Sequence, residues 1–193
     1  MELSWKNIEN NVVLQRAVGI CLVKMLKVIP SGIIVFFPSY KILQLLVDSW
    51  KQQTYDESTI YTKMKIRKDI IEEPRGNDID KSKDFWKQIN NRTCTEMVIF
   101  GVYRGKISEG IDFKDDMCRC TILLGLPYPN TNDTGVQLKM KHSQLINDDK
   151  QLDWIEIQTF RAINQALGRC IRHKCDYGCI VFLEARMKAV SYT

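Results

Sequence analysis

Hydrophobic positions along this chain fall into two patterns. Short unbroken apolar runs recur at Ile33–Phe37, Met97–Val102, Cys120–Leu124 and Cys179–Leu183. A run of that length, closed by turn residues, marks a strand covered on both faces, as in a parallel sheet. Between the runs the pattern changes to a helical stripe. Over residues 7–29 the apolar positions are Leu14, Ala17, Val18, Cys21, Leu22, Met25 and Leu26, and Pro30-Ser31-Gly32 closes the predicted helix. After the first strand Pro38-Ser39 intervenes, and Ser39 can cap a helix that sends Ile42, Leu43, Leu46 and Trp50 to the core. A last helix begins near Trp154 and runs through the 165–172 segment. Strand, short loop and helix make half of a βαβ unit, and repetition of that unit predicts an α/β fold.

The middle of the chain is weaker. A strand is expected around residues 65–71, a polar loop over 75–84, a short helix at Phe85-Trp86-Lys87-Gln88-Ile89, and a helix with a loop over 131–153. Gly125-Leu126-Pro127-Tyr128-Pro129-Asn130 and Asp176-Tyr177-Gly178 read as turns. Neither internal repeats nor low-complexity stretches interrupt this order, so residues 1–193 read as one domain.

Composition adds limits. An apolar content of 45% and a charged content of 26% are ordinary for a globular domain. A net charge of +5 and a pI near 8.8 are compatible with nucleic acid without establishing it. The start Met1-Glu2-Leu3-Ser4-Trp5-Lys6 lacks a basic n-region, and Lys24 interrupts the apolar stretch 17–23, so neither a signal peptide nor a membrane span is expected. The seven cysteines include no C-x-x-C pair. Cys170, Cys175 and Cys179 with His173 could be read as a metal cluster. Because Cys179 opens an apolar strand, free thiols in a reducing compartment fit better, and no metal ligand is assigned.

Two stretches carry chemistry. Gln165-Ala166-Leu167-Gly168-Arg169-Cys170-Ile171-Arg172 reads Q-x-x-G-R-x-x-R. On a continuing helix, Arg161, Gln165, Arg169 and Arg172 would share one face, with Gly168 leaving the backbone open there. Planar guanidinium forks suit phosphate oxygens; the bland alternative is a solvated basic face. The second stretch, Arg104-Gly105-Lys106-Ile107-Ser108-Glu109-Gly110-Ile111-Asp112-Phe113, directly follows a strand, and its glycines let backbone N–H groups approach an anion. Phosphate-cradling loops are missing. Gly101 and Gly105 have three residues between them and Ile107 follows Lys106, while Tyr55-Asp56-Glu57-Ser58 is no D-E-A-H box.

Q-x-x-G-R-x-x-R resembles motif VI of superfamily 2 helicases. The longer string Asn164 through His173 resembles the iron–sulfur DEAH-type DNA helicases in particular. R-G-K-x-S-E-G-x-D-F resembles their motif V, Phe37-Pro38-Ser39-Tyr40 their motif IV, and Gly125-Leu126-Pro127-Tyr128-Pro129 their G-[IL]-P-[FY]-P segment. The likeness runs from about Gly32 to Arg186 and covers only the second motor domain. It implies a RecA-like parallel sheet flanked by helices, with the first motor domain absent.

The resemblance also implies roles. Arg169 and Arg172 would be arginine fingers on the γ-phosphate, and Gln165 would position the phosphate or attacking water. Gly168, Glu109, Gly110 and Asp112 would lie on the nucleotide side. Ser39, Tyr40, Arg104, Lys106 and Ser108 would face single-stranded DNA. ATP and Mg²⁺ would be held mainly by the first motor domain, supplied in cis or in trans, and any iron–sulfur cluster would sit in that missing part. A nuclear DNA-repair helicase is the expected setting. Glu184-Ala185-Arg186 departs from the family's D-x-R ending, which puts Glu184 in doubt as a site residue. A degenerate, non-catalytic module that binds single-stranded nucleic acid or a partner stays open beside this reading, as does, more remotely, an unrelated nucleotide-binding regulator.

Overall fold

The computed structural model describes residues 2–76, 79–90, 96–110, 113, 115–146, 153–171 and 173–186. In chain order its strands are β1 (Ile33–Phe37), β2 (Thr54–Tyr55), β3 (Ser58–Thr59), β4 (Asp69–Glu72), β5 (Met97–Val102), β6 (Cys120–Leu124) and β7 (Cys179–Leu183). The helices are α1 (Trp5–Glu9), α2 (Val12–Val28), α3 (Tyr40–Gln52), α4 (Ile60–Arg67), α5 (Ile79–Asn90), α6 (Lys106–Gly110), α7 (Thr134–Ile146) and α8 (Trp154–Leu167). Five strands form one sheet in the order β4-β5-β1-β6-β7, with every pairing parallel. The expected parallel sheet flanked by helices is therefore present.

β1 is the middle strand, and its side chains alternate between two cores. Ile33, Val35 and Phe37 face Leu22, Leu46 and Trp50, whereas Ile34 and Phe36 face Phe85, Ile163 and Ala166. All five residues of β1 are fully buried, which is why the run is apolar without alternation. β7, at the edge, is more open: Ile180 and Phe182 remain partly exposed. Among the described residues no helix is long and apolar enough to cross a membrane.

Four local expectations are corrected. The helix over 7–29 is two helices, because Asn11 leaves helical geometry and its side-chain oxygen accepts from the Leu14 N–H at 2.9 Å. The stripe continues across the break, so periodicity alone does not show it. Residues 65–71 are not one strand: α4 runs to Arg67 and β4 begins at Asp69. The polar stretch 75–84 already contains the first turns of α5, where Asp80, Lys83 and Asp84 are exposed. The segment after Arg104, whose glycines suggest a loop, turns tightly into α6.

Asn11→Ala is expected to cost about 1 kcal/mol, since it removes the side-chain cap from a seventeen-residue helix. Urea denaturation of Asn11→Ala beside Asn10→Ala checks this, and equal stability of the two variants would refute it.

Candidate functional site

The C-terminal ends of β4, β5 and β1 lie side by side, where ligands of open parallel sheets bind. Beyond β1, the Ser39 side chain caps α3 by accepting from the Ile42 N–H at 3.3 Å. The Tyr40 hydroxyl donates to Glu73 Oε1 at 2.6 Å. Burial, this hydrogen bond and the Glu73 charge together push the Tyr40 phenol up from its ordinary pKa. Beyond β5 the backbone turns sharply. Gly105 N–H donates to the Val102 carbonyl at 2.9 Å, and Arg104 between them has φ of 60°. Arg104 Nη2 donates to the Gln158 carbonyl of α8 at 2.8 Å, and its burial pulls the guanidinium pKa down. Lys106 Nζ donates to the Gly76 carbonyl at 2.9 Å and to Ser82 Oγ.

Ser108 needs correction as a strand contact. It is fully buried, and its hydroxyl donates to the Gly105 carbonyl at 2.8 Å, so it supports the turn from inside. Gly110 closes α6. The Glu109 side chain and Asp112 lie outside the described residues. Glu73 was missed by sequence reasoning. It is buried, yet the sequence shows only Glu72-Glu73-Pro74 closing a strand.

The second group of site residues lies at the far end of α8. Thr159, Ala162, Ile163 and Ala166 bury one side of that helix. Its fourteen residues span about 21 Å. The expectation that Arg161, Gln165, Arg169 and Arg172 share one helical face is corrected. The helix ends at Leu167, Gly168 is its C-cap, and Arg169 sits in the turn that follows. Arg161 and Gln165 are exposed on the helix, while Arg169 folds back so that its Nε donates to the Gln165 carbonyl at 3.3 Å. Arg172 lies outside the described residues. Gly168 is exposed with ordinary dihedrals (φ −64°, ψ 4°), and among the described residues a Cβ there would approach nothing closer than 3.5 Å, so these contacts do not demand glycine at 168.

The helix stops where it does because the next residues are anchored. Cys170 is buried, with its Sγ 3.5 Å from the Cys118 carbonyl and 3.8 Å from that of Cys179. Arg119, also missed from sequence, ties down the rest. Its Nε donates to Asp116 Oδ1 at 2.8 Å, and its Nη1 to Asp176 Oδ1 at 2.7 Å and to the Tyr177 carbonyl at 2.8 Å. Its guanidinium lies 4.0 Å from the Tyr177 ring centre. His173 Nε2 is 3.2 Å from Asp115 Oδ1. The ligand atoms of Asp115, His173 and Asp176 lie within 4.8 Å of one another, but the Asp176 charge is met by Arg119. Cys170 is interior whereas Cys175 and Cys179 are exposed, so the cysteines postulated as a cluster face different surroundings.

Glu184 is structural. Its buried carboxylate accepts from the Leu3 N–H at 3.1 Å and from Arg186 Nε and Nη2 at 3.0 and 2.7 Å. Burial pushes this carboxyl up, but the donors from Arg186 and Leu3 outweigh it and hold its pKa below the ordinary value.

The two groups of residues thus meet the same helix at separate places. Arg104, at the C-terminal edge of the sheet, bonds to the first half of α8. The Gly168–Cys170 turn lies against Cys118, just before β6 begins.

Comparison with known proteins identifies the family. Residues 22–193 match the helicase C-terminal domain family, and the chain belongs to it, in the form found in iron–sulfur DEAH-type helicases. It is 36% identical over 183 residues to a Fanconi anemia group J protein homolog of Gallus gallus, covering 90% of this chain and 14% of that protein. It is 36% identical over 180 residues to a regulator of telomere elongation helicase 1 homolog of Aedes aegypti, covering 88% of this chain and 17% of that one. The chain therefore spans less than a fifth of these relatives' length. A solved apo structure of XPD superposes with a TM-score of 0.68 at 17% identity, covering 98% of this chain and 35% of that one, which establishes the fold.

Arg119→Ala removes the cation that meets a fully buried Asp176 side chain. It should cost about 3 kcal/mol and lower the melting temperature by roughly 10 °C. A drop under about 3 °C in a thermal melt would show that this network does not anchor the segment.

Proposed function

We propose that this chain is the second motor domain of an ATP-dependent DNA helicase and supplies one wall of the nucleotide cleft and part of the track for single-stranded DNA. One observation carries the reading: the strand-end turn at Arg104 bonds to Gln158 in the first half of α8, and the Q-x-x-G-R turn follows the last residue of the same helix. A motor needs such a link between its fuel site and its grip. Membership in the helicase C-terminal domain family supports it.

In this reading the nucleotide is a substrate shared with the first motor domain, supplied in cis or in trans. Arg169 and Arg172 act as arginine fingers, whose positive charge stabilises the transferring phosphoryl group by about 10³–10⁵-fold in rate. Gln165 positions the phosphate or the attacking water. The open surface at Gly168 lets the nucleotide close on the turn. Glu109, Gly110 and Asp112 lie on the nucleotide side of the 104–113 stretch. Mg²⁺ is assigned to the first motor domain, and no residue here is assigned to an iron–sulfur cluster. Ser39, Tyr40, Arg104 and Lys106 border the strand, and Ser108 supports them from beneath. Grip of this kind is backbone-directed, salt-dependent and largely indifferent to sequence. The setting in this reading is DNA repair in the nucleus, and similarity to proteins named for Fanconi anemia group J and for telomere elongation supports it.

The test uses the complete polypeptide that carries this domain. Arg169→Ala and Arg172→Ala should each lower the DNA-stimulated ATPase rate by at least about 10³-fold, while affinity for single-stranded DNA changes by less than about twofold. ATPase turnover and fluorescence anisotropy read the two quantities separately. Equal loss of both would show the arginines to be DNA contacts. Unchanged ATPase would favour the non-catalytic binding module.

A further inference from the structure

We infer that Glu73 is the positioning residue of the strand-facing edge, holding Tyr40 and the Arg104 turn in one geometry so that a single-stranded DNA backbone meets both together. This rests on the reading of that edge as part of a DNA track. Glu73 is only 3% exposed. Its carboxylate accepts three donors from three places in the chain: the Tyr40 hydroxyl at 2.6 Å, the Val102 N–H at 2.9 Å and the Lys106 N–H at 2.6 Å. A buried carboxylate persists only where such donors replace its water.

The placement of those donors is informative. Val102 and Lys106 flank the turn in which Arg104 takes a left-handed φ of 60°. A residue with a Cβ holds that conformation only where its surroundings over-determine it. Here two N–H groups on either side of the turn are fixed to one carboxyl group. The third donor is the residue that begins α3 beyond β1. Gly105 fits the same group, because a Cβ there would overlap Glu73 Oε1. At Gly101 a Cβ would first meet Ile107 Cδ1 and then lie 3.3 Å from Glu73 Oε2. The ends of β1, β4 and β5 are thereby locked together by one side chain that itself stays beneath the surface.

The sign of the expected effect separates positioning from simple charge. Glu73→Gln removes a negative charge from beneath a polyanion site, which on charge alone would tighten binding. Positioning predicts the reverse, because the amide offers an N–H where Val102, Lys106 or Tyr40 needs an acceptor. With the complete polypeptide and a fluorescein-labelled oligothymidylate, Glu73→Gln should weaken binding about tenfold and Tyr40→Phe about threefold. The double variant should bind no worse than Glu73→Gln, since both changes break one network. Affinity of Glu73→Gln equal to or tighter than wild type overturns the inference and leaves the helicase reading intact. If Glu73→Gln does not fold, unchanged affinity of Tyr40→Phe overturns it equally, and a threefold loss upholds it. Failure of the wild-type protein to bind the oligothymidylate removes the DNA-track reading itself, and the inference with it.

Discussion

Everything in this domain depends on burying β1 on both faces. A strand with five fully buried side chains needs apolar cover above and below. Its neighbours β5 and β6 are both parallel to it, so the chain must cross back after each strand. The crossings put helices on both faces and bring the strand ends out along one edge. That edge holds Tyr40, Glu73 and Arg104, from segments distant in sequence. The placement of the strand-facing residues is thus a consequence of core formation, and needs no separate device.

Buried charge does the finer work. Glu73, Arg119 and Glu184 are each nearly or fully inside, and each ties together segments that the sheet leaves adjacent but not bonded. Glu73 joins three strand ends, Arg119 fixes residues 176–177 beside residue 116, and Glu184 clamps Leu3 and Arg186. An isolated buried charge is expensive, and apolar residues of similar size often stabilise as well. What these groups add is geometry. Each fixes a backbone direction where the apolar core alone would accept several.

Much of this was legible in the sequence, for physical reasons that also mark its limits. The strands β1, β5, β6 and β7 declared themselves because burial on both faces leaves a continuous apolar run. The break at Asn11 did not, because a cap is one side chain and the stripe of α2 extends past it in phase. The end of α8 at Leu167 was missed because Cys170 is held by Cys118, a contact across 52 residues that no local window contains. The same limit hid Glu73 and Arg119. Motif residues such as Arg104 and Arg169 were visible as strings, but a string does not say what a side chain touches. Ser108 looked like a surface hydroxyl and is interior.

The corrected position of Arg169 changes how the domain would work. On a helix face its reach would be set by the helix alone. On a turn it is set by what pins the turn, namely buried Cys170 on one side and the Arg119 network on the other. Both anchors reach the segment just before β6, so the turn moves with the sheet. In its first half α8 is bonded to the Arg104 turn, which Glu73 fixes to the strand ends. The Arg104 contact at Gln158 and the Gly168 turn are therefore tied to one sheet, about 15 Å apart along α8. A domain built this way transmits displacement by moving as a body, since a packed core is bistable rather than continuously deformable. In the proposed motor, the required flexibility would then belong to the boundary with a partner domain.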